Sequence, residues 1–441
     1  MIMPNRYYHS VTLDESKCMG CTNCLKRCPT EAIRIRGGRA HIIDELCIDC
    51  GECIRTCPYH AKVAVTNPLA TINRFPYKIA LPAPALYGQF KDLANIGSVL
   101  RGLKRMGFDE VYEVARGADI VSCAVKARIE QPDCPKPLIS SSCPAVVRLI
   151  QARFPELIDN IVDIRSPMEV AAMEARRDFC EKHQVAPEDV GCFFITPCAA
   201  KMTAIREPLG QKKSAVDGAI SILEIYGLLS GQIRHDDGGR PGEDEDYHAT
   251  RYGIGWARSG GEASAMSIDN ALAVDGIENV SRVLEEIEND RLTDLVFFEG
   301  LACNGGCVGG PLVFENGYVA KTRIRRLMDR LPRVFPQQQV DEQYLGEVGD
   351  AIRFDTPIKP IQVLRLDSDI GHALQKINQI EEIRRRLPGL DCGSCGSPTC
   401  QALAEDIVKG EANEIDCLLV LKERVRAMAQ QMVELSDTTR E

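Results

Sequence analysis

The residues of this chain that could do chemistry are its cysteines. The run Glu299-Gly-Leu-Ala-Cys303-Asn-Gly-Gly-Cys307-Val-Gly-Gly-Pro311 sets two of them four apart among glycines. Glycine lets backbone approach a bulky inorganic group and takes φ angles that other residues resist. A thiolate-held metal cluster needs both properties. A buried structural pair in a loop would need neither. The 441 residues contain 20 cysteines, and no basic-then-apolar export signal opens the chain. Cysteines in that number in a reducing compartment read as metal ligands, not disulfides.

Two further groups have ligand spacing. Cys18, Cys21, Cys24 and Cys28, followed by Pro29, follow C-x2-C-x2-C-x3-C-P, and Cys47, Cys50, Cys53 and Cys57, followed by Pro58, repeat it. This is the pattern of bacterial two-cluster ferredoxins, in which the fourth cysteine of each run ligates the other cluster. Cys18, Cys21, Cys24 and Cys57 are therefore assigned to one [4Fe–4S] cluster, and Cys47, Cys50, Cys53 and Cys28 to a second. Near the other end, Cys392, Cys395, Cys400 and Cys417 follow C-x2-C-x4-C-x16-C, with glycine after each of the first two. That resembles a small [4Fe–4S] domain of redox and corrinoid proteins; four-cysteine zinc binding is the alternative. Cys123, Cys134, Cys180 and Cys192 lack partners at ligand spacing and read as small buried hydrophobes.

The elements that position these residues follow from local pattern. Ala32–Arg36 and His41–Ile43 read as a hairpin turned by Gly37-Gly38. Tyr77–Pro84 reads as an apolar strand entering a proline-rich loop. Val99–Met106, Glu169–Glu181 and His372–Arg386 read as helices, and Gly191–Ile195 and Asp294–Phe298 as buried strands ending at cysteine loops. Strands that deliver loops at their C-terminal ends suit an α/β domain with its site there. In the tail, Leu418, Leu421, Val425, Met428, Met432 and Leu435 form a heptad seam. It serves either a helix packed on its own domain or a parallel coiled coil joining two chains.

Three cysteine loops fall between residues 76 and 335: Ile139-Ser-Ser-Ser142-Cys143-Pro144, Ile195-Thr-Pro-Cys198-Ala-Ala-Lys201, and the glycine-rich run. With them the chain resembles the catalytic domain of [FeFe]-hydrogenases, whose architecture includes the ferredoxin-like N-terminus. The resemblance implies that Cys143, Cys198, Cys303 and Cys307 hold a [4Fe–4S] cube, and that Cys307 also bridges to a two-iron subcluster carrying CO, cyanide and a dithiolate, the whole being the H-cluster. It implies that Lys201 hydrogen-bonds a cyanide, that Ser166-Pro167 lies near the two-iron centre, and that an aromatic beside the cluster matches Trp256, which could equally be a core residue.

The departures matter as much. Ser142 stands where active members carry a proton-relaying cysteine, and a hydroxyl relays protons less readily because its pKa is far higher. Val125 and Arg128 lie in the segment after Gly117-Ala-Asp119 where the family has glutamates of the proton path. Thr196, Leu301 and Met168 replace two methionines and a glutamine. Cys123 lies in the altered segment too.

The resemblance is closest to the family's sensory branch. It implies an α/β H-cluster domain at 76–368, preceded by an α+β two-cluster ferredoxin domain at 1–75. A small helical [4Fe–4S] domain at 369–417 and an amphipathic helix at 418–441 follow. The function it implies is slow or H2-sensing reaction, H2 = 2 H+ + 2 e−, with electrons relayed through four [4Fe–4S] clusters. Partners would be H2 or protons, ferredoxin or another redox protein, a signalling partner reached through the C-terminal helix, and a second copy in a homodimer. Two alternatives stand beside it: a fully active hydrogenase with another proton route, and an electron-transfer or assembly protein carrying cubanes without the two-iron centre. A net charge of −10 argues against nucleic acid, and no apolar run spans a bilayer. A cytoplasmic location is expected. The acidic run Gly242–Asp246 reads as a solvated loop.

Overall fold

Gly37 (φ 56°) and Gly38 (φ 73°) close the ferredoxin-type hairpin. Glycine takes two successive positive φ values without strain, which is what a two-residue hairpin turn of this kind demands. In the computed structural model, which describes residues 8–93, 95–234, 249–361 and 369–438, this hairpin belongs to the smaller of two units. That unit draws on Thr12–Cys47, Glu52–Val63 and Gln362–Glu441, and the larger on Met1–Val11, Ile48–Gly51 and Ala64–Ile361. The run Gly242–Asp246 lies outside the described residues.

Strand β1 (Val11–Leu13) belongs with β4 (Lys62–Ala64), and in the smaller unit β2 (Ile33–Arg36) pairs antiparallel with β3 (Arg39–Ile42). Leu25, Ile33, Ala40 and Ala61 bury themselves among Cys18 and Cys24. Helix Ile370–Arg386 packs through Ile380, Ile383 and Leu387 on Leu403, Ala404 and Cys417. The last helix, Leu418–Thr438, begins directly after Cys417, whose carbonyl accepts from Leu421 N at 2.9 Å. Its seam residues Leu418, Leu421, Val425, Met428, Met432 and Leu435 are all exposed.

The larger unit is built on two parallel sheets. One runs β6 (Glu110–Val111), β5 (Tyr77–Pro82), β8 (Val190–Thr196), β9 (Gly218–Ser221); the other runs β10 (Ala271–Asp275), β11 (Phe297–Leu301), β7 (Leu138–Ile139). Every residue of β8 is buried, as befits a parallel strand covered on both faces. Phe193 of β8 and Phe297 and Phe298 of β11 are fully buried, each worth ~1.5–3 kcal/mol of hydrophobic stabilisation.

Helices cover Gly97–Arg105 and Pro167–His183, close to expectation. The strand expected at Asp294–Phe298 instead begins at Phe297 and runs on to Leu301. A turn occupies the earlier residues: Leu295 N donates to Leu292 O at 3.1 Å, and the Asp294 carbonyl accepts from Asn270 Nδ2.

Candidate metal centre

The cysteine loops leave the C-terminal ends of β7, β8 and β11, so both sheets deliver them. In the first two, the cysteine is the residue before a helix. Cys143 precedes Pro144–Arg153, and Pro144 occupies the first helical position, where its missing N–H costs nothing. Cys198 precedes Ala199–Arg206, and its N–H donates to Thr196 Oγ1 at 3.0 Å. A helix N-terminus favours negative charge, here thiolate. In the third loop, Gly305 (φ 80°) and Gly306 (φ 99°) turn the chain between Cys303 and Cys307.

The glycines of this third loop make room for neighbouring backbone. A Cβ on Gly310 would lie 2.3 Å from Pro197 O, in the second loop, and one on Gly306 would lie 2.6 Å from Ser259 N. Gly310→Ala must therefore push the second and third loops apart. We expect a loss of ~1–3 kcal/mol and of bound iron at this centre, read by thermal unfolding and by iron analysis.

Cys143, Cys198, Cys303 and Cys307 line one cavity, together with Cys50, Ser142, Pro167, Met168, Lys201, Trp256, Glu262 and Glu299. Burial, followed by the charges of Cys303, Cys143 and Cys307, pushes the Cys198 thiol well above its usual range. Burial, then Cys303 and Cys143, raises Cys307 to about 12. Desolvation lowers the pKa of Lys201, while Cys198, Cys307 and Cys143 oppose that shift. Thiols whose ionisation is held back by desolvation and by one another, as those of Cys198 and Cys307 are, become ligands once a cationic iron core draws off their protons. The donor set therefore fits a cubane, and Lys201 adds a hydrogen-bond donor beside it.

The remaining predicted residues are placed as follows. Trp256 lines the cavity and its Nε1 donates to Ser122 Oγ at 3.0 Å. Ser166 lines a neighbouring cavity that also touches Lys201. Val125 is buried in the helix Val114–Ile129, and Arg128 pairs with Asp133 at 3.0 Å. Cys123 and Cys192 are buried with thiols raised to about 12 by desolvation.

Two carboxylates in the cavity escaped the sequence reading. Ser142 Oγ donates to Glu262 Oε2 at 2.9 Å, and Ser140 Oγ donates to the same oxygen at 2.5 Å. Glu299 accepts from Gly260 N and Ala263 N, both at 3.0 Å, on either side of Glu262. Both acids are fully buried and their pKa values are raised, by desolvation first and, for Glu262, by the charge of Glu299 next. At least one proton thus stays on this pair near neutral pH. The signal for Glu299 was its place at the head of the glycine-rich run. Glu262 follows Gly260-Gly261, with no spacing rule to mark it.

Residues 77–311 match the family described as iron only hydrogenase large subunit, C-terminal domain. The chain belongs to that family. Residues 10–58 match a 4Fe-4S dicluster domain and residues 387–419 an Fe-S cluster segment. The family member most useful for comparison is the periplasmic [Fe] hydrogenase large subunit of Nitratidesulfovibrio vulgaris, 25% identical over 362 residues, 68% of this chain and 86% of that one. The cytosolic Fe-S cluster assembly factor NAR1 of Yarrowia lipolytica is 22% identical over 226 residues, 49% of this chain and 43% of its own. A solved [FeFe]-hydrogenase, from work on oxygen inactivation of the H cluster, shares the fold with a TM-score of 0.51 and 16% identity, over 67% of this chain and 96% of that one. The chain is thus a hydrogenase-like iron–sulfur protein of α/β type. Among the described residues no helix is long and apolar enough to cross a membrane.

Proposed function

We propose that this protein reacts with H2 slowly, as a sensor or low-flux oxidoreductase, and hands the electrons to a redox or regulatory partner. The observation that carries the reading is the cavity in which four cysteines, Lys201 and the Ser142–Glu262 hydrogen bond converge. Cys143, Cys198, Cys303 and Cys307 would hold the cube and Cys307 also the two-iron centre, which when bound supplies the interconversion of H2 with protons and electrons. Lys201 would donate a hydrogen bond to that centre. Cys50, which the sequence pattern makes a ligand of the second ferredoxin cluster, lines the same cavity. Ferredoxin or another redox protein is the electron partner, and the location is cytoplasmic.

The proton handling belongs to Ser142 and Glu262. Ser142 is a poor relay beside the cysteine of active members, but Glu262 sits within hydrogen-bond reach behind it and shares with Glu299 a proton retained near neutral pH. This restores a route at reduced rate. Ser142→Cys should raise H2 evolution, by less than the ~10²-fold of a complete relay, because Val125 and Arg128 leave the other path interrupted. No gain, even with Val125→Glu and Arg128→Glu added, would remove this explanation.

The exposed seam of the helix Leu418–Thr438 is the surface for the signalling partner or the second copy of a homodimer. A second reading, a cubane-only electron-transfer or assembly protein, draws on the similarity to the NAR1 factor. The deciding experiment is an infrared spectrum after maturation with a synthetic two-iron precursor. Sharp CO and cyanide bands that shift under H2 are the expected result. Their absence, with iron matching four cubanes, selects the second reading.

A further inference from the structure

We propose that the C-terminal cysteine set, Cys392, Cys395, Cys400 and Cys417, is wired directly to the ferredoxin clusters, so that its cluster is the electron exit of the smaller unit. The proposal rests on the cubane assignments made above and adds the path between them.

The contacts are specific and come from three ferredoxin segments. Leu25 and Lys26 lie between the ligand cysteines Cys24 and Cys28. Lys26 Nζ donates to the carbonyls of Asp391 and, at 3.1 Å, Pro398, the two flanks of the Cys392–Cys395 loop. Gly393, between those cysteines, has φ 76°, and a Cβ there would lie 2.8 Å from Lys26 Cε and 3.0 Å from Leu25 Cδ2. One ligand loop is thus pressed on the other with only glycine-sized clearance.

The hairpin adds the second grip. Ile35 N donates to Gly396 O at 2.8 Å, extending the edge of β2 by one residue of the cysteine loop. Arg36 Nη1 donates to Cys395 O at 3.3 Å and Arg36 Nη2 to Ser397 Oγ at 2.9 Å. Buried Asp406, on the helix that starts at Cys400, accepts from Arg34 Nε and Arg36 Nη2, both at 2.7 Å. Thr399 Oγ1 donates to Glu31 Oε2 at 3.1 Å, forming the third contact.

Electron tunnelling falls steeply with distance and needs no bond making. A loop that only needed to be folded could sit anywhere on the ferredoxin surface. This one is fixed by hydrogen bonds to the backbone of its own ligand segment against the segment that carries Cys24 and Cys28. The step is a one-electron exchange: the ferredoxin cubane is oxidised, the C-terminal cubane is reduced, and no proton or further reductant is needed. Cys392 is the exposed cysteine of the set, so the exit faces solvent, where a partner can collect the electron.

The test is paramagnetic resonance of the full-length, iron-loaded protein, reduced in steps, with iron counted by Mössbauer spectroscopy. The expected spectrum shows the C-terminal cubane split by a neighbouring reduced ferredoxin cubane. Cys400→Ala should remove about one cubane's iron and leave only the coupling of the two ferredoxin cubanes to each other, without the additional splitting from the C-terminal cluster. Asp406→Ala keeps all four ligands and should weaken the splitting by loosening the grip. A C-terminal cubane that is present but magnetically isolated overturns the wiring alone. Its absence from wild-type protein with full ferredoxin clusters overturns the C-terminal cluster assignment as well.

Discussion

Glu262→Gln is expected to slow H2/H+ exchange by ~10²–10⁴-fold, the usual worth of a positioned proton relay, while leaving the CO and cyanide bands in place. The amide keeps the shape of the side chain and can still accept from Ser142 Oγ, which in the parent reaches Glu262 Oε2 at 2.9 Å. What it loses is the ability to hold a proton. Glu262 is buried beside Glu299, and both effects raise its pKa. The sign follows directly. A raised carboxyl is protonated in the folded state at pH values where the unfolded chain has already ionised, from about pH 4.3 upward. The stability linked to that proton is lost as pH rises through the raised value. The Gln variant has no such loss, so its thermal midpoint should overtake the parent's toward alkaline pH. An unchanged exchange rate with intact bands takes Glu262 off the route. A slowed rate with intact bands and a flattened pH profile keeps it there.

The pair Ser142–Glu262 shows what a linear reading misses. Cysteines at ligand spacing are legible because that spacing is local: a four-residue interval or a strand–loop–helix junction survives in one dimension. Two of the strands that end at cysteine loops, β8 and β11, were legible for the same reason, whereas β7, only two residues long, leaves no pattern to read. Glu262 lies 120 residues from Ser142 in sequence and meets it only because helix Gly261–Met266 packs beside β11. A lone glutamate after two glycines has no periodicity to betray it. The register of β11 was misjudged by three residues because apolar content marks burial, while the ladder is set by pairing. Phe297 is the first residue opposite β10, at Ala271, and the turn before it is held by hydrogen bonds that composition does not reveal. The glycines of the third loop were read as clearance for an inorganic group. Gly306 and Gly310 in fact also clear the backbones of Ser259 and Pro197, a consequence of three loops converging that one loop cannot show.

Asp406→Ala is expected to destabilise the smaller unit by ~3–5 kcal/mol, the penalty for leaving buried charge without its partner. Asp406 is 1% exposed, and its Oδ2 accepts from Arg34 Nε and Arg36 Nη2 at 2.7 Å and from Ser397 Oγ at 2.8 Å. The Arg34 side chain is 7% exposed and cannot reach water without moving β2, whereas Arg36, at 28%, can turn outward. The cost therefore falls mainly on Arg34. Asp406→Asn should lie between parent and alanine, since an amide oxygen can accept the same three bonds without the charge. The decisive variant is the double one, Asp406→Leu with Arg34→Met. If the cluster contributes net stability, the double variant stays as weak as the single. If it chiefly fixes where the cysteine loop docks, replacing both charges with apolar groups recovers most of the loss, as buried ion pairs elsewhere lead one to expect. We expect recovery in chemical denaturation of the iron-loaded chain, together with faster proteolysis between residues 387 and 400. Stability would return while the position of the loop does not, because the charges that select the ferredoxin edge at Ile35 and Arg36 would be gone.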